Sequence, residues 1–342
     1  MEFRRFSSPH LPVENNVNAM MRRVLFALLP GIACMQWLFG WGVLINIALA
    51  GASAMLAEAG MLQLRGRPVA PVLLDGSALL TGVLLALALP PLAPWWIAVI
   101  GSAFAIIFAK QLYGGLGYNP FNPAMAGYVV LLVSFPLELT LWPAAGNPPD
   151  LSTTLALVFT GNPPPGTLID AITMATPMDS LRTQIGLGRQ LPELAGTVSG
   201  YLGGAGWEWL NACYLLGGLW LLRVKVIQWQ IPVAMLAGLA LTALLFHLVD
   251  PAHYATPQFH LFSGAAMLGA FFIATDPVSA CTTPRGRLWY GLGIGVLTWI
   301  IRTWGGYPDG VAFAVLLMNL AAPTIDHFTR PRIFGRSSGS AP

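Results

Sequence analysis

The chain has 342 residues, of which 56% are hydrophobic and only 9% charged, with a mean hydropathy of +0.66. A soluble domain carries about 25% charged residues, so this composition excludes a water-soluble globular protein and points to one integral to a membrane. The formal net charge of +3 gives no reason to expect a nucleic-acid partner; the expected surroundings are membrane lipid.

No strand-like alternation is visible, so the spanning elements are expected to be helices. The 12 Trp, 37 Gly and 28 Pro supply the interfacial anchors and the packing and breaking residues common in such helices. The opening MEFRRFSSPHLPVENNVNAMMRRV is too long and polar for a secretory signal peptide and reads as an arm on the membrane. About ten apolar spans of near-bilayer length follow, at 22–39, 41–62, 74–90, 95–110, 123–140, 207–222, 230–249, 260–275, 286–303 and 308–325. This is an all-α polytopic membrane protein in expectation. Residues 1–140 hold the arm and five helices, 141–206 an external loop, and 207–342 five more helices and a tail.

Cytoplasmic loops hold an excess of Lys and Arg. With the N-terminus inside and all ten spans crossing, the inner set is Arg4, Arg5, Arg22, Arg23, Arg65, Arg67, Lys110, Arg223, Lys225, Arg285, Arg287, Arg330, Arg332 and Arg336. The outer set is Arg182, Arg189 and Arg302. That division, 14 against 3 of the 17 basic residues, predicts cytoplasmic termini and an outward loop 141–206.

Two stretches of the first half recur in the second. The segment 77-SALLTGVLLALALPP-91 resembles 263-SGAAMLGAFFIATDP-277, and 117-GYNPFNPAMAGYVVLLVSFP-136 resembles 306-GYPDGVAFAVLLMNLAAP-323. Each pair joins spans that cross in opposite directions, which predicts an inverted five-plus-five repeat with an ion or substrate path at the repeat interface.

The chemistry at membrane depth is sparse. Cys34, Cys213 and Cys281 stand in three separate segments, do not form the four-thiolate set of an iron–sulfur cluster, and are expected to be buried and unpaired. Of five histidines only His247 and His260 approach the membrane, near outer span ends. No phosphate-cradling GxxxxGK[ST] occurs, which argues against transport driven by ATP on this chain. Ionisable or amide groups within the spans are Glu58, Asp75, Lys110, Asn46, Asn211, Asp276 and Asn319. Most lie near predicted span ends, where snorkelling suffices; Glu58 and Asp75 are the candidates for an ion path. The block 110-KQLYGGLGYNPFNPAMAGY-128 has two Asn-Pro steps, which free carbonyls and suit a broken helix facing a cavity. It reads equally as a tight cytoplasmic turn with Pro123 opening the next helix.

One long segment is not apolar. Within it, 169-IDAITMATPMDS-180 sits between 162-NPPPG-166 and Pro177, on a pliable and accessible loop. By its residues alone it could be no more than a set of helix caps from Asp170, Thr173 and Asp179.

The stretches KQLYGGLGYNPFNPAMAGYVVLLVSFP, DGSALLTGVLLALALPPLAPWW, SSPH with MRRVLFALLPG, and GAFFIATDPVSACTTPRGR together resemble the D subunits of Rnf ion-translocating electron-transport complexes. These are relatives of the B subunit of the sodium-pumping NADH:quinone oxidoreductase. The resemblance covers nearly the whole chain and implies a ten-helix inverted repeat in a bacterial inner membrane with the loop in the periplasm. It also implies covalent FMN, joined through its phosphate to a threonine in a pattern like D-x-x-[S/T]-G-A-T by a separate flavin transferase. In 170-DAITMAT-176, Asp170, Thr173 and Ala175 match, Met174 stands where the pattern has glycine, and Thr176 is the implied attachment site. The implied partners are the A, B, C, E and G subunits, with electrons exchanged between this flavin and a second covalent one on G. Relatives of the B-subunit type also hold noncovalent riboflavin. The expected function is that of one subunit of a redox-driven cation translocase, for H+ or Na+, without catalysis by the isolated chain. The alternative is a stand-alone channel or secondary transporter with no redox cofactor.

Overall fold

A computed structural model describes residues 17–166, 168–194, 200–307 and 309–330. The expected membrane-lying arm and the cationic tail fall largely outside them, so Arg4, Arg5, Arg332 and Arg336 are not placed. Among the described residues the chain is all helical, with one isolated bridge between Pro143 and Thr173.

Two long apolar helices open it, α1 (Val17–Phe39) and α2 (Gly42–Leu64). A short α3 (Val69–Leu73) precedes α4 (Ser77–Ala88), α5 (Trp95–Ile106) with a π turn Ile107–Gln111, and α6 (Pro123–Ser134). The loop segment carries α7 (Leu151–Thr160), α8 (Ile169–Ile172), α9 (Pro177–Gly186) and α10 (Leu191–Leu194). The second half holds α11 (Trp207–Arg223), α12 (Gln230–Val249), α13 (Pro257–Leu261), α14 (Ala266–Leu268) with a π turn Gly269–Ile273, α15 (Pro284–Trp304) and α16 (Val311–Thr329). Helices α1, α2, α12 and α16 are each long and apolar enough to cross a bilayer.

The expected spans 95–110, 207–222 and 286–303 are helical throughout, whereas those at 74–90 and 123–140 are shorter in the fold than in the sequence. Helices α4 and α6 have 12 residues each, a rise of about 18 Å against a hydrocarbon core of about 30 Å. Pro90 and Pro91 follow α4, and Pro136 follows α6, and each stops its helix. The span expected at 260–275 is two pieces, because Phe262–Ala265 breaks it between α13 and α14, and α14 runs on into its π turn. Asn211 on α11 bridges that break, donating to the Gly264 carbonyl at 3.0 Å and accepting from Met267 N–H at 3.2 Å.

Packing rests on small residues that let backbones touch, as expected where lipid removes the hydrophobic incentive between helices. A methyl group on Gly217 of α11 would overlap the Ala27 carbonyl of α1, and one on Gly295 of α15 would overlap the Met235 carbonyl of α12. Trp299, Tyr290, Phe39, Leu28 and Met35 fill the interior. Phe26, Trp37, Leu56, Leu245 and Val249 face outward, an apolar exterior suited to lipid. The cysteines differ from expectation: Cys281 is buried, but Cys34 of α1 and Cys213 of α11 are half-buried and lie side by side, both as free thiols. Sequence distance conceals that contact because the α1–α11 packing creates it.

Candidate functional site

Two polar centres lie at opposite ends of the bundle. The first is built where the π turn after α5 meets α2 and the start of α4. The turn is closed by the Leu112 N–H donating to the Ile107 carbonyl at 2.9 Å, and it brings consecutive side chains onto one carboxylate. Lys110 Nζ lies 2.6 Å from Glu58 Oε1, and Gln111 Nε2 donates to the same oxygen at 2.8 Å. The relative exposures are 0% for Glu58 and 1% for Lys110. Lys110 Nζ also donates to Ser77 Oγ at 2.7 Å, and Ser77 Oγ donates to Asp75 Oδ1 at 2.5 Å. Asp75, Ser77, Lys110 and Glu58 therefore form one continuous chain of polar contacts. The two expected ion-path carboxylates are brought together, though not directly. Sequence reading misses Ser77 and Gln111, and it expects Lys110 to snorkel. Instead Lys110 is buried, as are Glu58, Asn46, Asn211 and Asn319.

A cavity of about 80 Å³ opens beside Lys110, lined also by Ser77, Thr81, Asn119, Asn122, Thr275 and Asp276. Asn122 caps α6 by accepting from Met125 N–H at 3.2 Å, with Pro123 at the first helical position; this is the tight-turn reading of that block. The same residue also crosses to the second half, donating from Nδ2 to the Ile273 carbonyl at 3.2 Å and from its backbone N–H to Asn319 Oδ1 at 3.1 Å. Asn122 therefore both opens α6 and ties the Asn-Pro block to the second half at the cavity wall.

The second centre surrounds Thr176. The strand-like contact of Pro143 with Thr173, and Met174 N–H donating to the Trp142 carbonyl at 2.8 Å, tie the motif to the bundle. The helix cap here is Thr176 itself: its Oγ1 accepts from Asp179 N–H at 3.3 Å, with Pro177 opening α9. Thr173 Oγ1 is engaged locally, donating to the Ile169 carbonyl of α8 at 3.1 Å. Asp170 and Ala175 are exposed, and Thr176 is half-buried. Met174 is exposed and its backbone lies outside the left-handed region, so this fold does not require glycine at that position.

Thr176 opens onto a cavity of about 300 Å³ whose wall includes Trp142, Trp207, Tyr128, Asp179, Arg182 and Asp309. That volume lies at the small end of ligand pockets, about 300–1,000 Å³, and the wall is aromatic with a few polar groups, as such pockets are. Helix α9 is anchored by buried Met178 and Leu181, and its N-terminus presents the partial positive charge that favours a phosphate. Arg182 adds a full positive charge on the same wall and offsets the Asp179 carboxylate. In the same loop, the hydroxyls of Ser152 and Thr153 hold the exposed Asp150 carboxyl down at about 2 where it caps α7.

Arg302, assigned by sequence to the outer set, lies inside the protein at 2% exposure. It bonds Asp309 through Nε at 3.2 Å and Nη2 at 3.3 Å, and the carbonyls of His260 at 2.7 Å and Ser263 at 3.2 Å. Asp309 in turn accepts from Ala265 N–H at 2.7 Å and Val311 N–H at 3.2 Å, fixing one wall of the cavity onto which Thr176 opens. An arginine near the end of an apolar span is the sequence signal for this role.

A family model described as the NQR2, RnfD, RnfE family matches residues 5–335. The chain belongs to that family. Among its relatives is a protein from Escherichia fergusonii named as the D subunit of an ion-translocating oxidoreductase complex, 54% identical across 99% of this chain and 100% of that one. A protein of the same name from Alcanivorax borkumensis is 55% identical across 98% of this chain and 97% of its own. As a member of the NQR2, RnfD, RnfE family the chain carries both centres on one polytopic, all-helical scaffold.

Proposed function

We propose that the chain is a membrane subunit of an ion-translocating electron-transport complex of the bacterial inner membrane, bearing FMN esterified through its phosphate to Thr176. The observation that carries this reading is the half-buried Thr176 hydroxyl at the start of α9, opening onto the aromatic-walled cavity with Arg182. The shared name of the relatives supports the coarser part of it, a subunit of an ion-translocating oxidoreductase complex. Covalently held FMN supplies a carrier that accepts and releases electrons at this face. Thr176 would hold the phosphate, the α9 N-terminus and Arg182 would balance its charge, and Trp142, Trp207 and Tyr128 would exclude water from the ring. The loop faces the periplasm in this reading, both termini face the cytoplasm, and the two halves form an inverted repeat. The partners are the other subunits of such a complex, A, B, C, E and G, with a flavin-bearing G subunit exchanging electrons with the Thr176 flavin. A flavin transferase is needed in maturation.

Cation translocation would use the other centre, with Glu58 and Asp75 as its carboxylates. The ion is H+ or Na+. The cavity there, about 80 Å³, is well below the size of a pocket for a molecule like riboflavin, and we assign no noncovalent flavin to it. The test is in-gel fluorescence of the denatured chain made with its transferase. Wild type and Thr176→Ser fluoresce, whereas Thr176→Ala does not. Fluorescence that survives in Thr176→Ala would move the attachment elsewhere, and a dark wild-type chain would favour a stand-alone channel or transporter.

A further inference from the structure

Lys110 is a cation buried where a transported cation would have to bind. Its ammonium takes one carboxylate oxygen of Glu58 and the Ser77 hydroxyl, while the other oxygen, Glu58 Oε2, is buried without a partner. A lone buried acceptor on a charged group is costly, and it marks Glu58 as able to bind more than it holds here. Lys110 sits on a π turn, a feature frequent at functional sites. It also borders the smaller cavity, whose volume of about 80 Å³ has room for several waters. Across that cavity stands Asp276, half-buried, accepting from Ser279 Oγ at 2.7 Å and Val278 N–H at 3.3 Å, with no ion pair among the described residues. Asp276 is within electrostatic reach of Lys110.

We propose that the Lys110 ammonium is a tethered stand-in for the translocated monovalent cation, and that cation loading on Glu58 moves Lys110 across the cavity to Asp276. In the conformation described here Lys110 neutralises Glu58, while half-buried Asp276 is held only by hydrogen bonds from Ser279 and Val278; when a hydronium-derived proton or a sodium ion neutralises Glu58, the freed ammonium is drawn to the unpaired Asp276, so that neither Lys110 nor Glu58 is left as an uncompensated buried charge. The cavity, with room for several waters, gives the ammonium a polar-lined route, and the four-carbon stem supplies the reach. Asp75, bonded to Ser77, holds the hydroxyl that both cations would share.

This inference rests on the assignment of Glu58 to the ion path, and the test separates the two. The assembled complex is reconstituted in vesicles, and cations taken up per electron transferred are measured with radioactive sodium and, separately, with an internal pH indicator. A sodium ionophore and a protonophore used in turn tell the two ions apart. In Asp276→Asn, Lys110 has no second anion, and uptake per electron should fall about tenfold or more. In Lys110→Cys uptake should fall likewise, and treatment with an aminoethyl thiosulfonate, which rebuilds a tethered ammonium, should restore it. The isosteric neutral pair Glu58→Gln with Lys110→Gln keeps the site filled without charge and should assemble and lose uptake. Undiminished uptake in that pair would overturn the Glu58 assignment and the inference with it. Lost uptake in that pair together with undiminished uptake in Asp276→Asn would leave Glu58 in the path and overturn the transfer of Lys110. Failure of aminoethylation to restore uptake to an assembled Lys110→Cys complex would also overturn the transfer.

Discussion

Replacing Arg302 by methionine keeps an unbranched stem in the same space but removes a buried cation. Breaking a buried ion pair costs about 3–5 kcal/mol. The Asp309 side chain is 23% exposed and keeps two backbone donors, so the low end, about 3 kcal/mol, applies. The carbonyls of His260 and Ser263 lose a donor each, worth about 0.6 kcal/mol apiece in a membrane protein. The sum is roughly 4 kcal/mol, a drop in Tm of roughly 6 °C for a chain of 342 residues. Melting of the detergent-solubilised protein, followed by tryptophan fluorescence with Trp299 and Trp304 close by, provides the assay. The double variant Arg302→Met with Asp309→Asn removes the stranded charge and should recover most of the loss. A single variant that melts like wild type, or a double variant less stable than the single one, would refute the claim that this pair fixes the cavity wall.

Thr176→Asn preserves a good helix cap but offers no hydroxyl, so it should keep the loop's resistance to protease while abolishing covalent flavin; Thr176→Ala should lose the flavin and about 0.5–1 kcal/mol of local stability. Protease sensitivity in Thr176→Asn equal to that in Thr176→Ala would show that the cap contributes nothing. A cysteine placed at Thr183 should react with impermeant thiol reagents from the periplasmic side, and ones at Arg67 or Arg287 only from the cytoplasmic side; the reverse pattern would invert the topology. Gly295→Leu should prevent α15 from closing on α12 and reduce the assembled protein to a small fraction of wild type, measured by membrane yield, and a normal yield would contradict the packing described.

The class of fold was legible because composition and apolar run length report directly on solvent. Helix ends were not, since Leu, Ala and Pro continue an apolar run across the breaks after α4 and α6, and Phe262–Ala265 reads as part of a span although the chain turns there. The 170–176 motif was legible through resemblance. Its local geometry was not, because Thr173 and Thr176 are equivalent as letters, and only the packing of α8 and α9 turns one hydroxyl toward the Ile169 carbonyl and leaves the other at a helix start beside a cavity. Glu58 and Asp75 stood out as charges in apolar sequence. Their link through Lys110 and Ser77 depends on a π turn, which shifts the register by one residue and leaves no mark in hydrophobic periodicity.

Fragment mass analysis of the wild-type chain, produced with its transferase and digested to a peptide ending at Arg182, tests the central claim most directly. One FMN is expected, joined as a phosphoester, with the fragment series placing it on Thr176 and leaving Thr173 unmodified. Flavin on Thr173, or an unmodified peptide from a chain that has met the transferase, would contradict it.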